Sequence, residues 1–187
     1  MRPHLPALAR LRIAVFREFP YLYDGDLAYE ERYLRVYSDS PGSVFVLAAD
    51  GERIVGVSTG LPLLDAEPNF IAPFVEQRFR PEQVFYFGES VLERGYRGRG
   101  IGVLFFAERE AHARRLGDFR YTTFCAVDRA PNHPRRPRDY VPLDDFWRKR
   151  GYERQPELTT DLSWRDLDES AASPKRMTYW LKDWGEV

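Results

Sequence analysis

The chain has 187 residues, 43% hydrophobic and 30% charged, with a formal charge of −1; this suffices for one sizeable core but not for two comfortable domains, so residues 1–187 are read as a single domain. The near-neutral balance supplies no basic field for nucleic acid, and Cys125, the one cysteine, rules out an internal disulfide and suits a reducing cytoplasm. The N-terminal residues lack an apolar run long enough for a signal peptide or a membrane span.

Residues 5–19 carry Leu8, Leu11, Ile13, Val15, Phe16 and Phe19 among arginines, which predicts a helix ending at Pro20. Tyr21 to Asp26 reads as a turn. A second helix is expected from Glu30 to Tyr37, and Ser40-Pro41-Gly42-Ser43 breaks it. Val44–Ala48 and Ile54–Thr59 flank Asp50-Gly51, a hairpin signal. Residues 62–83 hold Pro62, Pro68, Pro73 and Pro81 around a short helix expected from Ile71 to Phe79. So long a connection reads as a wall or lid of a pocket.

The aromatic and β-branched run Val84–Leu92 predicts a strand. Ile101, Leu104, Phe105 and Ala111 then recur at helical spacing up to Leu116, with Arg114 and Arg115 in the last turn and Gly117 as a stop. A further strand is expected at Tyr121–Val127. A loop follows over residues 128–142, then a short helix over Leu143–Arg150 and closing strands at Leu158–Trp164 and Met177–Trp184. This order predicts an α+β fold with a mixed, mostly antiparallel sheet flanked by helices.

Between the central strand and its helix stands Arg97-Gly98-Arg99-Gly100-Ile101-Gly102. Glycines at such a junction let the backbone approach a ligand. The first amides of the helix are unpaired donors at its positive end, so the junction is an anion site, with phosphate the usual anion. No Lys-Ser or Lys-Thr follows, which excludes a P-loop, and Val103 stands where a dinucleotide fingerprint needs its third glycine.

The pattern Arg-x-x-Gly-x-Gly within Leu92–Gly102 resembles the acyl-CoA pyrophosphate loop of the GNAT N-acetyltransferase superfamily. Phe146-Trp147-Arg148-Lys149-Arg150-Gly151-Tyr152 is similar to a late aromatic segment of the same family, and the likeness spans residues 44–165. It implies the GNAT fold, in which two neighbouring strands splay to admit the pantetheine arm. It also implies acetyl-CoA as co-substrate without a metal, and an acyltransferase moving acetyl to a primary amine by direct attack in a ternary complex. The alternatives are a CoA-binding module without activity and a protein (lysine or N-terminal) acetyltransferase. The two long connections favour a small-molecule acceptor, and no nucleic-acid or membrane partner is implied. The 15% aromatic content is compatible with a homodimer.

By this resemblance Ser90, Val91 and Leu92 meet the pantetheine, while Arg97, Gly98, Arg99, Gly100, Ile101 and Gly102 meet the pyrophosphate. The backbone N–H of Leu92 faces the oxygen that becomes negative. Amines titrate near about 10, so a base is required. Glu89 is the first choice, placed by alternation among Phe85, Phe87 and Val91, which would raise its pKa; the bland reading is a carboxylate in water or paired with an arginine. Asp128 is the second choice. Trp147 stands where the family often has an acidic tyrosine, which leaves Tyr140 or Tyr152 as substitutes. Tyr21, Tyr23 and Asp24, with Tyr29, Asp26, Glu30 and Glu31 nearby, fall where the family lines its acceptor site and suit a cationic or aromatic amine. Cys125 reads as a buried hydrophobe rather than a nucleophile. His4, His112 and His133 lack metal-ligand spacing.

Overall fold

The computed structural model describes residues 4–185. The elements are α1 (Leu5–Phe16), α2 (Leu27–Asp39), β1 (Val44–Asp50), β2 (Arg53–Pro62), α3 (Pro68–Glu76), β3 (Val84–Leu92), α4 (Ile101–Leu116), β4 (Tyr121–Val127), α5 (Asp144–Arg148), β5 (Glu153–Trp164) and β6 (Ser173–Asp183). One six-stranded sheet runs in the order β1-β2-β3-β4-β6-β5. Every pairing is antiparallel except β3 with β4. The expected α+β architecture is therefore the observed one.

Local chemistry explains where the elements depart from expectation. Helix α1 stops at Phe16 rather than Phe19, and the Phe16 carbonyl accepts instead from the amide of Tyr23 (2.9 Å). Helix α2 begins three residues before Glu30, because Asp26 Oδ1 caps it by accepting from the Tyr29 amide (2.7 Å). Helix α3 starts earlier than predicted, with Pro68 in its first turn, and Arg78 at φ +62° follows its end. Pro73 inside α3 has no N–H for the Asn69 carbonyl, and the Thr160 hydroxyl donates there instead (2.9 Å). Edge strand β5 begins at Glu153, five residues early, and Pro156 falls within its register irregularity between Gln155 and Thr159.

Two apolar layers sandwich the sheet. Tyr37, Phe70, Phe74, Tyr86 and Tyr179 pack under α2 and α3, and Leu8, Leu11, Leu34, Val57 and Val91 under α1 and α2. Phe85, Phe87, Phe106, Phe124, Tyr152 and Trp180 fill the α4 side. The buried face of α4 is Phe105, Phe106, Arg109 and Ala113, so Leu104 points outward and is 59% exposed.

Two irregularities in β3 create the site. Its parallel ladder with β4 covers only Val84–Tyr86 against Tyr121–Thr123, so beyond Phe87 the two strands part. On its other side, Ser58 pairs with Ser90 but Gly60 pairs with Phe87. Two residues of β3, Gly88 and Glu89, thus oppose Thr59 alone, a β-bulge.

Candidate active site

The bulge sets the direction of Glu89. Without it, alternation would carry Phe85, Phe87 and Glu89 to the α4 side. The inserted residue turns Glu89 to the opposite face, where it meets Arg12 of α1, so the expected neighbours Phe85 and Phe87 are replaced by charged ones. Val91, in the α1 core, shares its new face. Gly88 is confined: a Cβ there would sit 2.2 Å from Tyr37 Oη and 2.6 Å from Thr59 Oγ1. Arg109 secures the bulge from the α4 side, donating from Nη1 to the carbonyls of Thr59 (3.2 Å) and Glu89 (3.4 Å), with its guanidinium over the Phe87 ring at 4.1 Å. Burial pushes this guanidinium down to about 10, against the opposing influence of Tyr152 and Glu89.

Glu89 is buried, and its Oε2 lies 2.6 Å from Arg12 Nη1. This ion pair is close, and the Thr59 hydroxyl is a further polar neighbour of the carboxylate. Arg12 Nε is also bonded to the buried carboxylate of Glu30. Burial raises the Glu89 pKa above the usual carboxylate value; the Arg12 charge and a hydrogen bond from Thr59 work against this and the Glu30 charge with it. For Arg12, burial acts to lower the pKa, but the charges of Glu89 and Glu30 prevail and raise it.

These groups line a cleft open to solvent, where β3 and β4 separate. Gly88 and Glu89 come from β3, Cys125 from β4, Arg12 from α1 and Glu30 from α2. Of the residues expected to meet the acceptor, Tyr21, Tyr23 and Glu89 line the cleft. Asp24 does not; it pairs with Arg17 and Arg165. The connection over residues 62–83 contributes Phe70 as wall.

The other candidates sit elsewhere. Asp128 lies outside the cleft, held by Arg154 Nη2 (2.9 Å) and the Thr178 hydroxyl (2.6 Å). Trp147 packs against Phe124 and Trp180. Tyr152 is fully buried, bonded to Glu110 Oε1 (3.0 Å) and Thr122 Oγ1 (2.9 Å) on the α4 side. Tyr140 packs on Phe19. Cys125 faces the cleft beside Tyr86 Oη (3.3 Å), and burial pushes its thiol up to about 12, which disfavours the thiolate. His112 bonds the Gly42 carbonyl, His133 stacks near Phe19, and among the described residues no group suits a metal.

The glycine junction has the geometry of a cradle. Gly98 (φ +75°) and Gly100 (φ +84°) are left-handed, and a Cβ on either would meet nothing within 4 Å. Gly102 has another reason: its Cβ would come 3.2 Å from the Phe146 ring. Gly100 caps α4 without a side chain, leaving the first amides of the helix facing outward. Arg97 donates from Nε to the Leu92 carbonyl (3.0 Å) and pairs with Glu18 (2.8 Å), while Arg99 lies over the Tyr96 ring. The Glu93 amide bonds Val55 of β2 (2.9 Å). By alternation the polar backbone of Leu92 and Ser90 faces the gap, whereas that of Val91 faces β2. An open parting of two strands, free backbone donors along it and a left-handed glycine cradle at a helix start fit a long ligand with amide groups and a pyrophosphate, such as acetyl-CoA.

Sequence reasoning placed Glu30 near the acceptor site but missed Arg12 and Arg109. Both left a trace: Arg12 follows Leu8, and Arg109 follows Phe105, at the four-residue spacing of a buried helix face.

The profile of the Acetyltransferase (GNAT) family matches residues 8–137. A search of curated protein sequences finds no significant match. Solved structures share the fold at low identity. A ribosomal-protein-alanine N-acetyltransferase from Brucella melitensis is 16% identical with a TM-score of 0.61, covering 98% of this chain and 96% of its own. A putative acetyltransferase from Salmonella typhimurium, solved with its cofactor acetyl-CoA, is 10% identical with a TM-score of 0.57, over 100% of this chain and 92% of its own. A putative phosphinothricin N-acetyltransferase is 12% identical with a TM-score of 0.61, over 100% and 96%. With its sheet, glycine cradle and matched profile, the chain belongs to the GNAT acetyltransferase family.

Proposed function

We propose that the protein is an N-acetyltransferase that uses acetyl-CoA and acetylates a primary amine of a small molecule held in the cleft, by direct attack in a ternary complex. The observation that carries this is Glu89: a buried carboxylate that lines the cleft at the parting between β3 and β4. When bound, acetyl-CoA supplies an activated acetyl thioester. The amides of Ile101 and Gly102 and the Arg99 side chain would hold its pyrophosphate, with the backbone of Ser90 and Leu92 along its arm.

Glu89 takes the proton that an alkylammonium must lose before it attacks, directly or through one water. Its raised pKa brings it closer to that of the amine, which makes the transfer less uphill than to an ordinary carboxylate. Leu92 N–H stabilises negative charge on the carbonyl oxygen. The single thiol is consistent with a cytoplasmic enzyme.

The test is incubation with acetyl-CoA and an amine panel, following free thiol and the mass of each product. Amine-dependent thiol release with matching acetylated product is expected. Binding of acetyl-CoA with no release for any amine would instead identify a CoA-binding module.

A further inference from the structure

The cleft has a charge pattern and wall chemistry that select among amines. Its charged lining consists of Arg12, Glu30 and Glu89. One guanidinium is shared by two buried carboxylates, an excess of one negative charge at the cleft floor. Arg12 is already engaged by both acids. Its Nε is on Glu30, its Nη1 is on Glu89, and its plane lies over the rings of Tyr33 (4.2 Å) and Phe16 (5.0 Å). Two buried carboxylates on one guanidinium leave a negative charge unbalanced, and an ammonium group, with three donors and one positive charge, supplies its partner.

The walls say what the rest of the ligand is. Tyr21, Tyr23, Phe70, Tyr86 and Trp164 surround the acidic floor, with Leu162 and Met177 between them. Aromatic faces attract a cation and pack against an apolar body. The lining cation, Arg12, is outnumbered by the two carboxylates it pairs with, and these would repel a substrate carboxylate. Arg129, which bonds the Tyr21 carbonyl, is also spent on the carbonyl of Pro20 and on Asp166. A polycation would find acids at the floor and only rings beyond them.

Resting on the transfer reading above, we propose that the acceptor is a monocationic primary amine with an aromatic body and no carboxylate, an arylalkylamine, rather than an amino acid or a polyamine. The carboxylate is rejected for its charge, since a neutral group of the same size meets no such repulsion.

Calorimetric titration of the full chain at pH 7 tests this without relying on turnover, using 2-phenylethylamine, L-phenylalanine, L-phenylalaninamide and spermidine as probes. 2-Phenylethylamine is expected to bind about 100-fold more tightly than L-phenylalanine, or ~2.8 kcal/mol at about 1.4 kcal/mol per tenfold. L-Phenylalaninamide should recover most of that loss, and spermidine should bind more weakly than 2-phenylethylamine. Equal binding of the amine and the amino acid, tighter binding of spermidine, an amide as weak as the acid, or no binding of 2-phenylethylamine would each overturn the proposal. Glu30→Gln, with its fold checked by near-ultraviolet circular dichroism, should narrow the discrimination against L-phenylalanine. Product analysis separates the two readings. Selective binding without acetylation would sink the transfer reading alone, and acetylation that favours L-phenylalanine would sink this one alone.

Discussion

Arg12 Nη1 of α1 stands 2.6 Å from Glu89 Oε2 of β3, and the same guanidinium holds Glu30 of α2, so one cation joins three elements around the cleft floor. Buried carboxylates of this kind cost stability unless paired. Arg12 offsets that cost while Glu89 still lines the cleft. The arrangement keeps the carboxylate in place and available.

The pH dependence of turnover follows from this pair. Burial raises the Glu89 pKa, so its basic form is lost on the acid side at a pH above the ordinary value of about 4.3. Activity should therefore rise with pH through that raised value. Glu89→Gln should lower kcat by about 100-fold or more and remove the acid limb. Arg12→Met takes away the charge that holds the pKa down, so the limb should move to higher pH. A pH–rate profile unchanged in Arg12→Met would argue against the coupling.

Stability should show the reciprocal effect. A carboxylate with a raised native pKa contributes stability that is present below its unfolded pKa and lost as pH rises through the native one. Glu89→Gln is thus expected to gain in Tm relative to the natural chain as pH increases from 4 to 8. A difference independent of pH would show that Glu89 titrates normally.

Gly100 separates ligand geometry from packing. Alanine at φ +84° costs about 1–2 kcal/mol by backbone strain alone, since its Cβ meets nothing. The fold should survive, while acetyl-CoA stabilisation weakens. In the natural chain, acetyl-CoA at about 100 times its Kd should add roughly 2.7 kcal/mol. Thermal unfolding with and without the ligand reads both, and an undiminished shift in Gly100→Ala would remove the cradle from the binding site.

Tyr152→Phe distinguishes a structural hydroxyl from a proton donor. The hydroxyl bonds Glu110 and Thr122 in the α4-side core, and Lys182 still holds Glu110 when it is gone. The variant should lose about 1 kcal/mol of stability and keep its kcat. A large fall in kcat with normal stability would reinstate Tyr152 in the chemistry.

Asp166 anchors the wall that carries Tyr21. It is buried between Arg129 (2.7 Å) and Lys175 (3.7 Å), and Arg129 reaches from there to the carbonyls of Pro20 and Tyr21. Asp166→Ala leaves the buried Arg129 without its carboxylate, although Lys175 keeps Glu169 (2.8 Å), and should cost about 3 kcal/mol in urea unfolding. The KM for the amine should rise because Tyr21 loses its support. A loss below about 1 kcal/mol would place the network among ordinary surface pairs.

Much was legible in the chain itself, because it depends on neighbours in sequence. Alternating aromatic and β-branched residues marked β3, Asp50-Gly51 marked the β1–β2 hairpin, and Ile101 to Leu116 with Gly117 marked both ends of α4. The glycine junction showed itself through backbone freedom that only glycine supplies, at Gly98 and Gly100. The surroundings of Glu89 were not legible. An extra residue opposite Thr59 breaks strand alternation, and no local signal announces it, since it arises where β3 pairs with β2. The cleft charge was hidden for the same reason: Arg12, Glu30 and Glu89 lie on three elements and meet only when α1 and α2 pack over β3. Sequence by itself determined the elements and the left-handed glycine turn before α4, whose causes are local, while tertiary packing decided which way Glu89 faces and what charge it meets.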